Sequence, residues 1–435
     1  TMARKMKDSG IEWIGKIPEG WEVHRVKTHF TIISGSGFKP ELQGQSTGDF
    51  PVCKASDISS SGHYLHTSAN YITSDIVKSQ HFSIIPKGSI LFAKIGEAMR
   101  KNNRSLCSHD CCVDNNCQGL VPKNISSEFS YYLFTCIDMT WFDNAGTIPC
   151  INNQKLYDCR IPFPSYDEQL LISNHLNFQC AKINEILFHI RSSIEEYKKL
   201  KQAVITQAVT KGVRGKREMK DSGVEWIGEI PAEWSITKIK SGVTKIGSGK
   251  TPSGGAETYT DSGIIFLRSQ NVYDCTLNLE SPTYISPEVD ATMKSTRVLP
   301  DDVLLNITGG SIGRCSIVPK TLGLANVNQH VCIIRTNPLI FLPKYMQYFW
   351  VSTLGHLAID LYQTGGNREG MSADAIRNTP IPYAPLNEQK EIADYLDAKC
   401  AEIDGLIAKK EQLVKELESY KKSLIYEVVT GKREV

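Results

Sequence analysis

The chain has 435 residues, 49 Lys and Arg against 47 Asp and Glu for a formal net charge of +2, and is 41% hydrophobic. That balance excludes a chain disordered throughout and a polycation that coats nucleic acid indiscriminately, and the length suits two or three units of ~100–200 residues with their own cores. No run approaches the ~18 apolar residues of a membrane span, and Thr1, Met2, Ala3, Arg4 and Lys5 lack the apolar core of a secretion signal, so a soluble cytoplasmic protein is expected.

The first segment recurs later in the chain. Residues 6–27 read MKDSGIEWIGKIPEGWEVHRVK and residues 219–240 read MKDSGVEWIGEIPAEWSITKIK, so Trp13, Pro18 and Trp21 answer Trp226, Pro231 and Trp234 at an offset of 213. An internal repeat decides the architecture before any motif does. Short apolar runs broken by Gly, Pro, Asn and Ser follow, as at 31–33 and 89–92, and predict short strands with a few helices. Lys94, Arg100, Lys101, Asn102, Asn103 and Arg104 come after the second of these runs and offer groups able to read base edges. Cys107, His109, Cys111, Cys112 and Cys117 lie close together but form no CxxC pair, and the 13 cysteines are scattered, so reduced, buried thiols are expected rather than zinc. Aromatic residues at helical spacing over 129–142 predict a helix with core-facing rings.

A proline-rich exit, Ile161-Pro162-Phe163-Pro164, leads to Asp167-Glu168-Gln169, whose polar groups are expected to cap the helix that follows. No Pro or Gly interrupts 167–210. Within it Ile183, Ile190, Tyr197 and Val204 recur every seven residues, joined by Ile186 and Leu200, as a coiled-coil seam would require. A helix this long reaches roughly 66 Å at ~1.5 Å per residue, too long to hide in a small domain, so it must pair. Between 198 and 220, Lys198, Lys199, Lys201, Lys211, Arg214, Lys216, Arg217 and Lys220 face one acid, and read equally as a solvated helix end or as phosphate contacts.

In the second half, Gly247-Ser248-Gly249-Lys250-Thr251 resembles the tail of a phosphate loop, but Thr244 stands where its first glycine belongs and Pro252 where its helix would start. Strands are expected at 264–267, 302–305 and 330–334 and a helix at 343–362. ILFAKIG (90–96) answers VLLNITG (303–309), and Gln118 answers Gln329. Lys250, Thr251, Arg268, Asn271, Arg314, Asn367 and Arg368 are the candidate base readers here. A second exit at 381–385 precedes Asn387-Glu388-Gln389, at an offset of 220 from the first triplet, and Ile403, Leu406, Leu413, Leu417, Tyr420 and Leu424 continue a second seam. Head-to-tail halves would pair the two helices antiparallel and bring the closing VVTGK of 428–432 near the N-terminal segment. The expected class is α+β, with two mixed α/β globular domains separated by an antiparallel two-helix coiled coil in an internal pseudo-twofold repeat. No HExxH, GxSxG, glycine-rich cofactor fingerprint or Asn-Pro-Pro-Tyr-like tetrad occurs.

The duplicated EWIGxIPxxW segment, the proline exit followed by Glu-Gln and a long helix, and the closing VVTGK together resemble the specificity subunits of type I restriction-modification systems, across essentially the whole chain. The resemblance implies target-recognition domains at 1–165 and 213–385, with long helices at 166–212 and 386–435. It implies a non-catalytic subunit in which each domain reads half of an asymmetric bipartite double-stranded DNA site. The helices set the spacer and dock two modification (methyltransferase) subunits, and restriction (translocase/nuclease) subunits join the complex. S-adenosylmethionine, ATP and Mg belong to those partners, and no cofactor, metal or membrane to this chain. The composition is also compatible with a coiled-coil scaffold binding protein partners without reading DNA and, less readily given the absent motifs, with an enzyme carrying its own nuclease or methyltransferase site.

Overall fold

The computed structural model describes residues 4–144, 146–363 and 370–435, so Asn367 and Arg368 lie outside the described residues. The chain forms two compact units, Thr1–Ile190 with Gln412–Val435, and Arg191–Glu411. Each takes in part of both long helices, Tyr166–Lys211 and Leu386–Val429.

The first unit is built on strands β1 (Phe30–Ser34), β2 (Tyr64–Leu65), β3 (Ile90–Ala93), β4 (Arg104–Cys107) and β5 (Cys117–Pro122), in the order β1-β5-β3-β4-β2. All neighbours are antiparallel except β2 with β4. Every side chain of β3 is buried, so the sheet is covered on both faces. The two-residue pleat divides them: Ile90 and Phe92 pack with Leu120, Phe129 and Leu133 and with Ile172 and Leu176 of the first long helix, while Leu91 faces Ile85, Cys107 and Cys117. Residues expected in one helix at 129–142 form Ser127–Thr135 and a separate turn, Met139–Phe142, with Phe129, Tyr132 and Phe134 in the core.

The second unit holds β6 (Val243–Ser248), β7 (Val303–Asn306), β8 (Cys315–Ile317) and β9 (Val331–Thr336) in an antiparallel sheet ordered β6-β9-β7-β8. Ile264–Leu267 belongs to a second four-stranded sheet. Gln118 lies opposite Ser34 and Phe92, and Cys332 opposite Ser248 and Leu305, so β1, β5 and β3 correspond to β6, β9 and β7. The helix expected at 343–362 breaks at Ser352, whose hydroxyl accepts from Gly355 N and starts a new helix, Thr353–Tyr362. All 13 cysteines are free, Cys53, Cys107, Cys111 and Cys117 fill one small core, and burial pushes the Cys112 thiol up to about 12. Among the described residues no group of three or more His, Cys, Asp or Glu could hold a metal ion, and no helix is long and apolar enough to cross a membrane.

The long helices pair within each unit, on a seam that differs in part from the expected one. Ile183 is buried and Ile190, Tyr197 and Val204 are half-buried, but Ile186 and Leu200 are each 47% exposed. Their places are taken one residue later by Leu187, Ile194 and Lys201, which alternate with the first series at spacings of three and four. In the second helix Ile403 and Leu424 are buried and Leu406 and Leu417 half-buried, whereas Leu413 and Tyr420 stand in solvent and Val414 and Lys421 replace them. A lysine is charged and so carries no apolar seam signal, yet its aliphatic stem covers apolar surface while the ammonium finds a partner. Lys201 Nζ meets Asp404 at 2.7 Å in the second unit, and Lys421 Nζ meets Asn184 Oδ1 at 2.8 Å in the first. These are one contact repeated at the offset of 220. With the Lys410 ammonium over the Tyr197 ring, the Lys201 pair shows an antiparallel register in the second unit.

The Glu-Gln dipeptides do more than cap. Glu168 accepts from the Trp21 indole at 2.8 Å and from Arg4 at 2.5 Å; Glu388 accepts from the Trp234 indole at 2.9 Å and pairs with Arg217 at 2.6 Å. Each arginine also lies over its tryptophan, at 5.6 and 5.2 Å. Gln169 accepts from Ser126 N at 2.8 Å, and Gln389 from Leu342 N at 2.9 Å, so the amides lock each helix start to its unit. The repeated Trp segment therefore exists to clasp the beginning of a long helix. Beside these clasps the long helices end at Gly212 and Gly431, both at positive φ (72 and 69°). A Cβ on Gly212 would sit 2.0 Å from Arg217 Nη2, and one on Gly431 would sit 2.5 Å from Pro18. The end of the second helix thus rests on the N-terminal segment, and the Tyr426 hydroxyl donates to Trp13 O at 2.9 Å.

Candidate nucleic-acid interface

Four loops meet along one edge of the first unit, joined by main-chain hydrogen bonds. After β1, Gly35 N donates to Cys117 O and Ser36 N to Val113 O, both at 3.1 Å. After β3, Lys94 N donates to Asn116 O at 2.8 Å and Lys94 O accepts from Ile151 N at 2.9 Å, while Ile95 bridges Cys150. A Cβ on Gly35 would lie 1.9 Å from Asp114 O, so only glycine allows this approach. Amides dominate what the loops present. Asn115 and Asn116 are exposed; the buried Asp114 carboxylate accepts from Asn116 N at 3.1 Å and from its Nδ2 at 3.3 Å. Asn152 Nδ2 donates to Asn144 Oδ1 at 2.9 Å, and Asn152 Oδ1 caps the helix Asn153–Asp158.

The second unit repeats these ties with other side chains. Gly249 N donates to Val331 O at 2.9 Å, Lys250 N to Val327 O at 3.2 Å, Ile307 N to His330 O at 3.0 Å and Met371 N to Ile307 O at 2.9 Å, and Thr308 bridges Gly370. Gly249 is as crowded as Gly35, its Cβ position 2.0 Å from Val327 O. The ties match Asn115 with Gln329, Asn116 with His330 and Gln118 with Cys332. The sequence alignment of Gln118 with Gln329 is therefore displaced, because only the strand hydrogen bonds reveal the loop lengths. On this scaffold Thr251 Oγ1 is hydrogen-bonded to Gln329 Oε1, Gln329 Nε2 meets His330 Nε2 at 3.0 Å, and Thr308 Oγ1 meets His330 Nδ1 at 2.6 Å. An edge of amides, hydroxyls, an imidazole and lysines offers the donors and acceptors that groove readout uses.

The candidates chosen from sequence divide. Lys94, Lys250 and Thr251 lie on this edge. Arg100 and Lys101 are exposed beside it, Arg100 paired with Glu97 at 2.7 Å, and Asn103 donates to Ser59 Oγ at 3.0 Å. Arg104 is only 5% exposed, donates to Ile137 O at 3.1 Å, and burial pulls its guanidinium down to about 10. Asn102, at φ 58°, accepts from Met139 N at 3.0 Å and from Arg104. Asn271 is buried, accepting from Arg268 N at 2.9 Å and donating to Asn278 O at 3.0 Å. Asn102, Arg104 and Asn271 thus face inward and hold their turns, and do not belong to the edge. Arg268 lies over Tyr259 at 5.7 Å and Arg314 over Tyr273 at 4.6 Å, both half-buried. In the basic run, Lys198, Lys201, Arg214 and Arg217 pair with Glu195, Asp404, Glu391 and Glu388, which accounts for four of its eight cations. Asn115, Asn116, Asn144, Asn152, Gln329 and His330 stand on the edge as well and are not among the candidates picked out by sequence. For all but Asn144, the available signal is a pair or triplet of polar residues directly ahead of an apolar strand or a helix.

The type I restriction modification DNA specificity domain matches residues 18–201 and again 231–416. The chain belongs to that family. It is 24% identical to the type I restriction enzyme MjaVIII specificity subunit of Methanocaldococcus jannaschii over 96% of this chain and 94% of that one. It is 21% identical to the EcoKI specificity subunit of Escherichia coli K12, over 90% and 84% respectively. The fold is that of a chain solved in work on complex assembly and conformational transition of the type I R-M system, at TM-score 0.71, 16% identity and coverage of 96% and 99%. The HsdS subunit from Thermoanaerobacter tengcongensis matches at TM-score 0.50, with 16% identity and coverage of 96% and 98%. The two matched domains fall on the two repeats, and membership makes this a specificity protein, a targeting rather than a catalytic component.

Proposed function

We propose that each unit reads one half of an asymmetric bipartite site in double-stranded DNA through its four-loop edge, in the cytoplasm. The observation that carries this is the recurrence of the same main-chain ties around unlike side chains: Asn115 and Asn116 in one unit, Gln329 and His330 in the other. A shared frame with different readers suits two different half-sites, whereas identical readers would demand a palindrome. The paired long helices set the spacer. They also dock two methyltransferase subunits, a role supported by exposed Leu171, Phe178 and Phe188 on the first helix. Restriction subunits complete the assembly, and S-adenosylmethionine, ATP and Mg are bound by the partners.

The test is methylation mapping in cells carrying this chain and its methyltransferase. One bipartite motif with a single spacer length is expected. Adding a heptad to both helices extends each by about 10.5 Å, near three base pairs at ~3.4 Å each, and should change the spacer while sparing the half-sites. Methylation indifferent to spacer length, or DNA affinity insensitive to salt, would favour the scaffold reading instead.

A further inference from the structure

We infer that Gln329 reads an adenine in the second half-site; this rests on the DNA-reading role above and names the base and the residue. Gln329 is exposed at the middle of the second unit's edge, in the loop that leads into β9. A glutamine in such a place ordinarily samples many rotamers and loses that freedom on binding. Here side chains from three loops hold it. Thr251 donates to Oε1, Nε2 donates to His330 Nε2, and the other ring nitrogen of His330, which then carries the hydrogen, donates to Thr308 Oγ1 at 2.6 Å.

The hydrogen-bond inventory of the carboxamide then points to one base. A primary amide has two acceptor positions and two N–H donors. The internal bonds use one of each, leaving one acceptor and one donor. That is the complement of adenine in the major groove, which offers the N6 amino donor beside the N7 acceptor. Guanine offers two acceptors, O6 and N7, and would set O6 against Oε1; cytosine and thymine each offer only half of the pair. Lys250, exposed one residue before Thr251, is the neighbouring cation available for a phosphate contact. In the first unit the ties that match Ser36 with Lys250 place Gly37 where Thr251 stands and Asn116 where His330 stands, so no equivalent pair of side chains fixes Asn115 among the described residues. The first half-site is therefore read differently at this position.

The experiment uses the full chain assembled with its methyltransferase, on duplexes carrying the motif obtained by methylation mapping. Replacing each second-half-site adenine in turn by 7-deazaadenine removes the N7 acceptor. At one position the wild type should lose roughly ten- to hundredfold in affinity. Gln329→Ala should show that loss on natural DNA, be indifferent to the 7-deaza substitution there, and keep its first-half-site stringency. Gln329→Glu, which retains shape but not the N–H donor, should shift preference at that base pair toward cytosine, and His330→Ala, a positioning change, should weaken the 7-deaza effect. A Gln329→Ala chain that folds, as judged by an unchanged melting temperature, and methylates the motif with undiminished stringency would overturn the proposal and leave the half-site reading intact. If Gln329→Ala melts early, an unaltered base preference in Gln329→Glu overturns it equally. A wild-type complex that yields no bipartite motif would remove the reading beneath it.

Discussion

Replacing Glu388 by Ala should be far more damaging than the equivalent replacement of Glu168, although the two residues play the same part in the repeat. Glu388 is fully buried, with its carboxylate between the Trp234 indole at 2.9 Å and an Arg217 guanidinium that is itself only 13% exposed. Removing one partner of a buried ion pair costs about 3–5 kcal/mol, because the remaining charge keeps its desolvation penalty; Arg217 retains the half-exposed Glu233 at 2.8 Å, which puts the loss toward the low end of that range. For a unit of this size each kcal/mol moves Tm by about 2–4 °C, so a fall of roughly 6–20 °C is expected. In the first clasp Glu168 and Arg4 are 26% and 31% exposed, so water can solvate whatever is left behind. Glu168→Ala should then cost about 1–2 kcal/mol. Scanning calorimetry of the intact chain and both variants measures the difference. Glu388→Met combined with Arg217→Met should recover most of the stability lost by Glu388→Met alone, since an apolar pair of similar volume carries no buried charge. A Glu168→Ala loss equal to or larger than that of Glu388→Ala, or a double Met variant no more stable than the single one, would refute the desolvation argument.

The seam assignment predicts that Leu187→Ala and Ile194→Ala each cost about 2–5 kcal/mol, while Ile186→Ala and Leu200→Ala stay within ~0.5 kcal/mol; urea titrations separate the two classes. Arg104→Ala should destabilise by about 1–3 kcal/mol through the Ile137 carbonyl it abandons, yet leave DNA preference unaltered in the protein that folds, as a binding assay beside a melt would show. His29 should contribute an acid sensitivity. Its ring is stacked on Phe163 at 4.1 Å and bonded to His24 at 2.7 Å, and burial, aided by the nearby His24 and opposed by the Lys123 carbonyl, holds its pKa below the usual 6.5. The unfolded chain therefore takes up this proton first, so stability contributed by neutral His29 is present above pH 6.5 and is lost as the pH falls toward the lower folded value. His29→Gln should flatten the fall in Tm between pH 7.5 and 5.5.

Much of the frame was legible because it repeats. Two copies of the Trp segment and of the Glu-Gln triplet located both clasps by position, though not their purpose: a carboxylate at a helix start reads as a cap until a tryptophan distant in sequence is seen to donate to it. The heptads were half legible. One series of seam positions is apolar except at Lys410 and was visible, but the alternate series includes Lys201 and Lys421, while apolar Ile186, Leu200, Leu413 and Tyr420 stand one residue away in solvent. Hydrophobicity alone therefore selected the neighbour. Ser352 broke one expected helix by the same kind of local bond that starts helices elsewhere.

The edge was the least legible part, and the reason is physical. Its loops are tied through main-chain N–H and C=O groups, which every residue but proline possesses, and through two glycines whose missing Cβ permits the crossing. Side chains such as Asp114 and Asn152 add to these ties, but the exposed ones at Asn115 and Gln329 carry none of them. Asn115 can stand where its counterpart is Gln329, and Gly37 where it is Thr251, without disturbing β1, β3 or β5, so nothing in the packing constrains which residues appear there. The clasps and seam are the opposite case, since Trp234, Glu388 and Leu187 fill specific buried volumes and any exchange is felt in the core. A protein whose frame is fixed by buried side chains and whose reading edge is fixed by backbone can change what it reads at little cost in stability, which is why the halves agree in their ends and differ in their middles.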